Sequence, residues 1–264
     1  MHPISVTRLP FTLTESSVLA VIPARYNSSR LPAKVLLDIA GRSMIEHVYR
    51  RAASASLVHA VIVATDDQRI ADVVESFGGT ALMTRVDHAT GTDRIAEVVA
   101  SLPCQLVVNL QGDEPLIEPE AIDAAVRPLL GDPSIDIGTL SRPIRDAQEF
   151  TNPHVVKVVT DHRDRALYFS RAPIPGAHAT TAPAAVLAAT RAHIGLYVYR
   201  RDVLLQLAAL APTPLERLEG LEQLRALEHG MRISVTAVQH QSAGVDTIED
   251  LERVRQHLLA PTRT

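Results

Sequence analysis

Three short runs of Val, Ile, Leu and Ala, at Val18 to Ile22, Ala60 to Ala64 and Leu106 to Leu110, alternate along the chain with amphipathic stretches, and this alternation constrains the fold most. Apolar runs of that length, rich in β-branched residues, suit buried strands. Between and after them, Met44 to Ala53, Asp67 to Phe77 and Thr92 to Ser101 carry apolar residues at helical spacing. Alternating strands and helices require right-handed crossovers and a mainly parallel sheet covered on both faces. The ligand crevice of such a sheet lies at the carboxyl ends of its strands. The expected class is therefore α/β, with function in the loops that follow the strands.

The pattern changes after about Asp136. Extended runs at Ile137 to Arg142, Val155 to Thr160 and Ala166 to Phe169 follow one another with little helix between, which predicts an antiparallel insertion. Ala172 to Ala192, rich in Ala, Thr and Pro, has no period and is expected to be a loop or arm. Helix is expected again over Pro214 to His229, a last strand over Ile233 to Val238 and a last helix over Ile248 to Leu259.

Bulk properties narrow the function. A formal charge of −4 gives no general attraction to a phosphate backbone, so nucleic acid is not an expected partner. No apolar run approaches the ~20 residues needed to cross a bilayer, so no membrane span is expected. Residues 1–17 lack the apolar stretch of a secretory signal and are expected to be an N-terminal extension. Cys104 has no second cysteine to pair with, which favours a reducing, cytoplasmic setting.

The loop after the first strand, PARYNSSRLPAK, sets Arg25, Arg30 and Lys34 among small polar residues. Arginine offers a planar fork to phosphate oxygens and lysine a compact charge, so a triphosphate fits here. Three scattered charges alone would favour a solvated basic loop; their position straight after a buried strand reverses that preference. Neither G-x-G-x-x-G nor G-x-x-x-x-G-K-[ST] occurs, against a nicotinamide dehydrogenase or a P-loop kinase. The third strand ends in NLQGDEP, where Gly112 permits an unusual turn and Asp113 or Glu114 offers a carboxylate to a hard cation. Magnesium takes few carboxylates and completes its shell with phosphate and water. In GVDTIEDL, Asp246 is a second candidate, although spacing alone favours a helix N-cap there.

Taken together, PARYNSSRLPAK, TRVDHATGTDR, NLQGDEP, NPHVVKVV, ALYFSRAPIP, HIGLYVYR, LEQLRALEHG and GVDTIEDLERVR closely resemble the 3-deoxy-manno-octulosonate cytidylyltransferase family, from about Val18 to the last helix. The resemblance implies a Rossmann-like nucleotidyltransferase fold over 18–264, with an acceptor-binding and dimer-contact subregion at about 137–200. It implies transfer of CMP from CTP to 3-deoxy-D-manno-octulosonate (Kdo), Mg2+ dependence and a homodimer. It places Arg25, Ser28, Arg30 and Lys34 on phosphates, and Arg85, Asp87 and Thr90 near cytosine and ribose. Asp113 and Asp246 become metal ligands, against the capping preference for Asp246, while Lys34 and Arg30 join them in catalysis. Gln111, Arg171, His193, Tyr197, Glu222 and Gln223 fall on the acceptor-sugar pocket. Without the resemblance, His193 suits a structural role and Glu222 and Gln223 suit i,i+3 or i,i+4 pairing on a helix. Ala33 stands where the family commonly has Gly, so a positive φ there would be strained. The alternatives are the same chemistry on a sialic acid or an 8-amino analogue, and a noncatalytic sugar-nucleotide-binding regulator.

Overall fold

The computed structural model describes residues 9–27, 31–239 and 244–259. Along the chain run β1 (Val18–Ala24), a 3-10 turn (Lys34–Leu36), β2 (Asp38–Ile39), β3 (Arg42–Ser43), α1 (Met44–Ala53) and β4 (Ala60–Thr65). Then come α2 (Gln68–Ser76), β5 (Ala81–Met83), α3 (Gly91–Val99), β6 (Leu106–Asn109), α4 (Pro119–Gly131), β7 (Ile137–Pro143) and α5 (Ala147–Thr151). The remainder is β8 (Lys157–Thr160), β9 (Ala166–Ser170), α6 (Pro183–Ala189), β10 (Arg191–Arg200), α7 (Arg201–Ala209), α8 (Pro214–Glu219), α9 (Gln223–Glu228), β11 (Ile233–Ala237) and α10 (Ile248–Leu259). The chain forms two compact units, one of 1–123 with 242–264 and one of 124–241.

In the first unit, β6, β1, β4 and β5 lie side by side and all pair in parallel, as the strand–helix alternation requires. Leu19 to Ile22 of β1 are wholly buried, as are Ile62 and Val63 of β4. Such side chains each contribute roughly 1.5–3 kcal/mol by leaving water. A separate cluster of Ile39, Met44, Val245, Leu251 and Val254 packs α10 against the start of α1. That packing carries the segment before α10 to the loop after β6, where Val245 N donates to Asp113 O at 2.9 Å.

In the second unit, β7 pairs in parallel with β11 and antiparallel with β10, while β8 pairs antiparallel with both β10 and β9. The expected antiparallel run of strands is present. The expected loop over Ala172 to Ala192 contains the short helix α6 and the first residues of β10. The helical run from Pro214 is broken in two at Gly220, whose φ of 62° closes α8 in a left-handed cap. Apolar periodicity does not register such a break: the buried residue of α8 is Glu216, which pairs with Arg225 of α9 at 2.5 Å across the turn.

Candidate active site

In the first unit, three side chains far apart in sequence converge. Lys34 Nζ donates to Asp113 Oδ2 at 2.5 Å and to Asp246 Oδ1 at 3.2 Å. Lys34 opens the 3-10 turn, and the residue before it, Ala33, is left-handed at φ 55°. The strain expected of a non-glycine at that position is therefore present. Gly112, by contrast, is not among the glycines with positive φ. Its need is space: a Cβ there would stand 3.3 Å from Val35 Cγ1 and 3.4 Å from Pro23 O. Lacking one, the loop after β6 lies close against the end of β1 and delivers Asp113 to Lys34.

The N-cap expected of Asp246 belongs to its neighbour. Thr247 Oγ1 accepts from Asp250 N at 3.2 Å, and Asp250 Oδ2 accepts from Thr247 N at 2.9 Å and Asp246 N at 3.0 Å. With that reciprocal cap made by Thr247 and Asp250, the Asp246 carboxylate turns to Lys34. Two carboxylates meeting one ammonium form a donor set that fits a hard cation drawing its other ligands from phosphate and water. Next to them, Glu114 has its pKa pushed up to about 8, first by burial and then by the charges of Asp113 and Asp246, with Lys34 opposing.

A cleft of ≈ 320 Å³ opens beside the ends of β1 and α3, and Arg25, His88, Thr90, Arg94 and Gln111 are among its lining residues. Thr90 caps α3, its Oγ1 accepting from Asp93 N at 3.1 Å while Asp93 Oδ2 accepts from Thr90 N at 3.0 Å. Gln111, expected with the acceptor sugar, shares this cleft with Arg25 and Thr90 and donates to Asn109 Oδ1 at 3.0 Å. Arg85 and Asp87 pair with each other on the surface at 2.7 Å and do not line it. Ser28 and Arg30 lie outside the described residues.

The sequence reading missed His88 and Arg94. Arg94 is buried on α3 and donates to Asp66 Oδ2 at 2.8 Å, and His88 pairs with Glu97. A buried arginine on an apolar helix face is the signal that was available, since Arg is almost never fully buried unless paired.

In the second unit, Arg171 follows β9. Its Nε donates to Glu219 O at 2.7 Å, one Nη to Pro153 O at 3.1 Å and the other to Gly220 O at 3.5 Å. The Glu219 carboxylate accepts from Arg171 N at 2.9 Å and Ser170 Oγ at 2.6 Å. Burial alone would raise the Glu219 pKa, but the Ser170, Arg171 and Tyr168 hydrogen bonds and the Arg171 charge hold it below the usual range. Lys157, wholly buried, donates to the carbonyls of Asn152, Val155 and Arg171 at 2.9, 2.6 and 2.6 Å.

His193 and Tyr197 flank a bulge in β10, between Ile194 and Tyr197. His193 Nε2 lies 2.9 Å from Thr139 Oγ1, and its ring meets Phe169 edge-on and Tyr197 at a tilt. Thr139 Oγ1 donates to Leu196 O at 2.8 Å, so the histidine Nε2 carries the hydrogen between them. Burial keeps His193 neutral, its pKa pushed down to about 3, and raises that of Tyr197 with help from Glu222. Glu222 stands 3.6 Å from Arg225 at i,i+3, the pairing that helical spacing alone predicts, and Gln223 is buried.

A family model described as cytidylyltransferase matches residues 19–233. Among curated relatives, the 3-deoxy-manno-octulosonate cytidylyltransferase of Syntrophotalea carbinolica is 58% identical over 92% of this chain and 98% of its own. That of Solibacter usitatus is 52% identical over 90% of this chain and 92% of its own. A solved CMP:2-keto-3-deoxy-manno-octonic acid synthetase, complexed with CTP, is similar at TM-score 0.86 and 45% identity, covering 92% of this chain and 98% of that one. A 4-diphosphocytidyl-2C-methyl-D-erythritol synthase from Anaerococcus prevotii, at TM-score 0.61 and 12% identity, covers 93% of this chain and 100% of that one, and shares the fold alone. With a cytidylyltransferase model matching most of the chain and relatives this similar over nearly their whole length, the chain belongs to the 3-deoxy-manno-octulosonate cytidylyltransferase family.

Proposed function

We propose that this chain transfers CMP from CTP to Kdo, giving CMP-Kdo and diphosphate for lipopolysaccharide biosynthesis. The observation that carries the reading is the meeting of Asp113 and Asp246 on Lys34 in a family member. The anomeric hydroxyl of the sugar attacks the α-phosphorus in line; the new O–P bond forms as the bond to the β-phosphate oxygen breaks. The hydroxyl proton leaves to solvent, with no side chain assigned as general base.

Lys34 and Arg30 neutralise the crowded phosphate oxygens, and Arg25 and Ser28 hold the triphosphate. Asp113 and Asp246 would hold Mg2+, which would supply charge neutralisation at the phosphates and a lower pKa for the acceptor hydroxyl. Thr90, Arg85 and Asp87 serve the cytidine. Gln111, Arg171, His193, Tyr197, Glu222 and Gln223 serve the sugar, with Arg171 matching its carboxylate by charge and by fork geometry. The single cysteine of the sequence, Cys104, supports a cytoplasmic setting, and the homodimer rests on the family resemblance, to be tested by sedimentation.

Diphosphate release with CTP or UTP, against Kdo, 8-amino-Kdo and a sialic acid, with and without a chelator, tests the reading. The expected result is magnesium-dependent release with CTP and Kdo, on the order of 100-fold faster than with UTP. Equal rates with UTP, or a preference for sialic acid, would overturn it.

A further inference from the structure

Arg171 is held in an unusual way for a residue in a loop. Its peptide N–H donates to the Glu219 carboxylate and its peptide C=O accepts from the Lys157 ammonium, so opposite sides of one residue's main chain are gripped by opposite charges. Glu219 also accepts from Ser170, the last residue of β9, and Lys157 spends its other donors on Asn152 and Val155. Burying a lysine is costly, and here its three donors all meet main-chain carbonyls.

The side chain is steered too. The left-handed cap at Gly220 turns the carbonyls of Glu219 and Gly220 towards the guanidinium, and Pro153 O receives one Nη. Of the five guanidinium N–H donors, these three contacts occupy Nε and one on each Nη, leaving one N–H on each terminal nitrogen. An incoming carboxylate can accept from these remaining donors.

We propose that Glu219 and Lys157 are positioning residues that clamp the Arg171 main chain so that the two remaining guanidinium donors are set for the acceptor's carboxylate. This rests on the assignment of Arg171 to the acceptor acid. Glu219 reaches the sugar only through Arg171, so its contribution exists only while Arg171 is there to be aimed.

The test compares Glu219→Gln, Arg171→Ala and their double variant in the full-length enzyme, varying CTP and Kdo separately. Glu219→Gln keeps the shape but loses the anionic acceptor. It is expected to raise the KM for Kdo about tenfold and leave the KM for CTP within about twofold. In the Arg171→Ala background the same change is expected to do nothing further. Ser170→Ala removes one hold on the carboxylate and should shift the Kdo KM the same way by about threefold, which serves if Glu219→Gln fails to fold. If Arg171→Ala spares the Kdo KM, the assignment of Arg171 falls. If Arg171→Ala raises it but Glu219→Gln and Ser170→Ala do not, or if Glu219→Gln acts equally in both backgrounds, the clamp falls alone.

Discussion

The charged groups around Lys34 and those around Arg171 are held by opposite means. Lys34 has two side-chain carboxylates as partners, each from a distant stretch of chain. Arg171 and Lys157 bind main-chain carbonyls, and Glu219 takes a main-chain N–H. Side chains can exchange partners as a triphosphate and a metal arrive, at the cost of a rotamer change. Main-chain atoms cannot move without moving the chain segment that carries them. The first arrangement suits groups that share charge with a changing ligand, and the second suits a group that must stay aimed.

The largest expected effect breaks the first arrangement. Asp113→Asn and Asp246→Asn should each lower turnover by at least about 100-fold, since each removes an anion that Lys34 and the proposed metal would share. Both should melt near the wild-type temperature. Steady-state diphosphate release across a magnesium titration checks this; near-normal turnover of either variant at limiting magnesium would remove it from the metal site.

Next in size is a change to the fixed charges of the second unit. Glu149 accepts from Arg142 at 2.5 and 3.1 Å and from Arg145 N at 2.7 Å, with almost no exposure. Burial would raise its pKa, but the two arginines win and hold it at about 2. Because the folded pKa is depressed, its stabilisation is complete above the unfolded carboxylate value of ~4.3 and is lost as pH falls towards 2. Glu149→Gln should cost about 3 kcal/mol at neutral pH and flatten the decline of stability between about pH 4.5 and 2.5. Urea unfolding at a series of pH values measures both; an unchanged acid slope would show that Glu149 does not drive it.

The smallest effect sharpens the comparison at Ala33, whose strained backbone precedes Lys34. Ala33→Gly relieves a left-handed conformation costing roughly 1–2 kcal/mol, offset by about 0.4–1 kcal/mol of added freedom in the unfolded chain. Tm should rise by about 2 °C with turnover unchanged. A clear fall in Tm would mean that the alanine methyl contributes packing that outweighs the strain.

Much of the first unit was legible beforehand because its signals are local. Val18–Ala24, Ala60–Thr65 and Leu106–Asn109 are apolar except for the terminal Thr65 and Asn109, as suits strands covered on both faces, and Met44–Ala53 and Ile248–Leu259 carry a helical period. The second unit was less so. Its helix break at Gly220 and the bulge in β10 depend on left-handed geometry and strand register, neither of which leaves a period in the sequence.

The same division runs through the candidate site. Sequence by itself determined the strand–helix order, the candidate functional loops after β1 and β6, and, through eight ordered motifs, the family. Only tertiary structure decided which atoms meet. It gave the cap of α10 to Thr247 and Asp250 and the Asp246 carboxylate to Lys34, set Gln111 in the cleft with Arg25, and left Arg85 and Asp87 paired outside it. It also joined Glu219 and Lys157 to Arg171, from positions 48 and 14 residues away in sequence. Periodicity reports which face of an element is apolar. Pairings between distant charges are set by how those faces pack, and no local pattern encodes them.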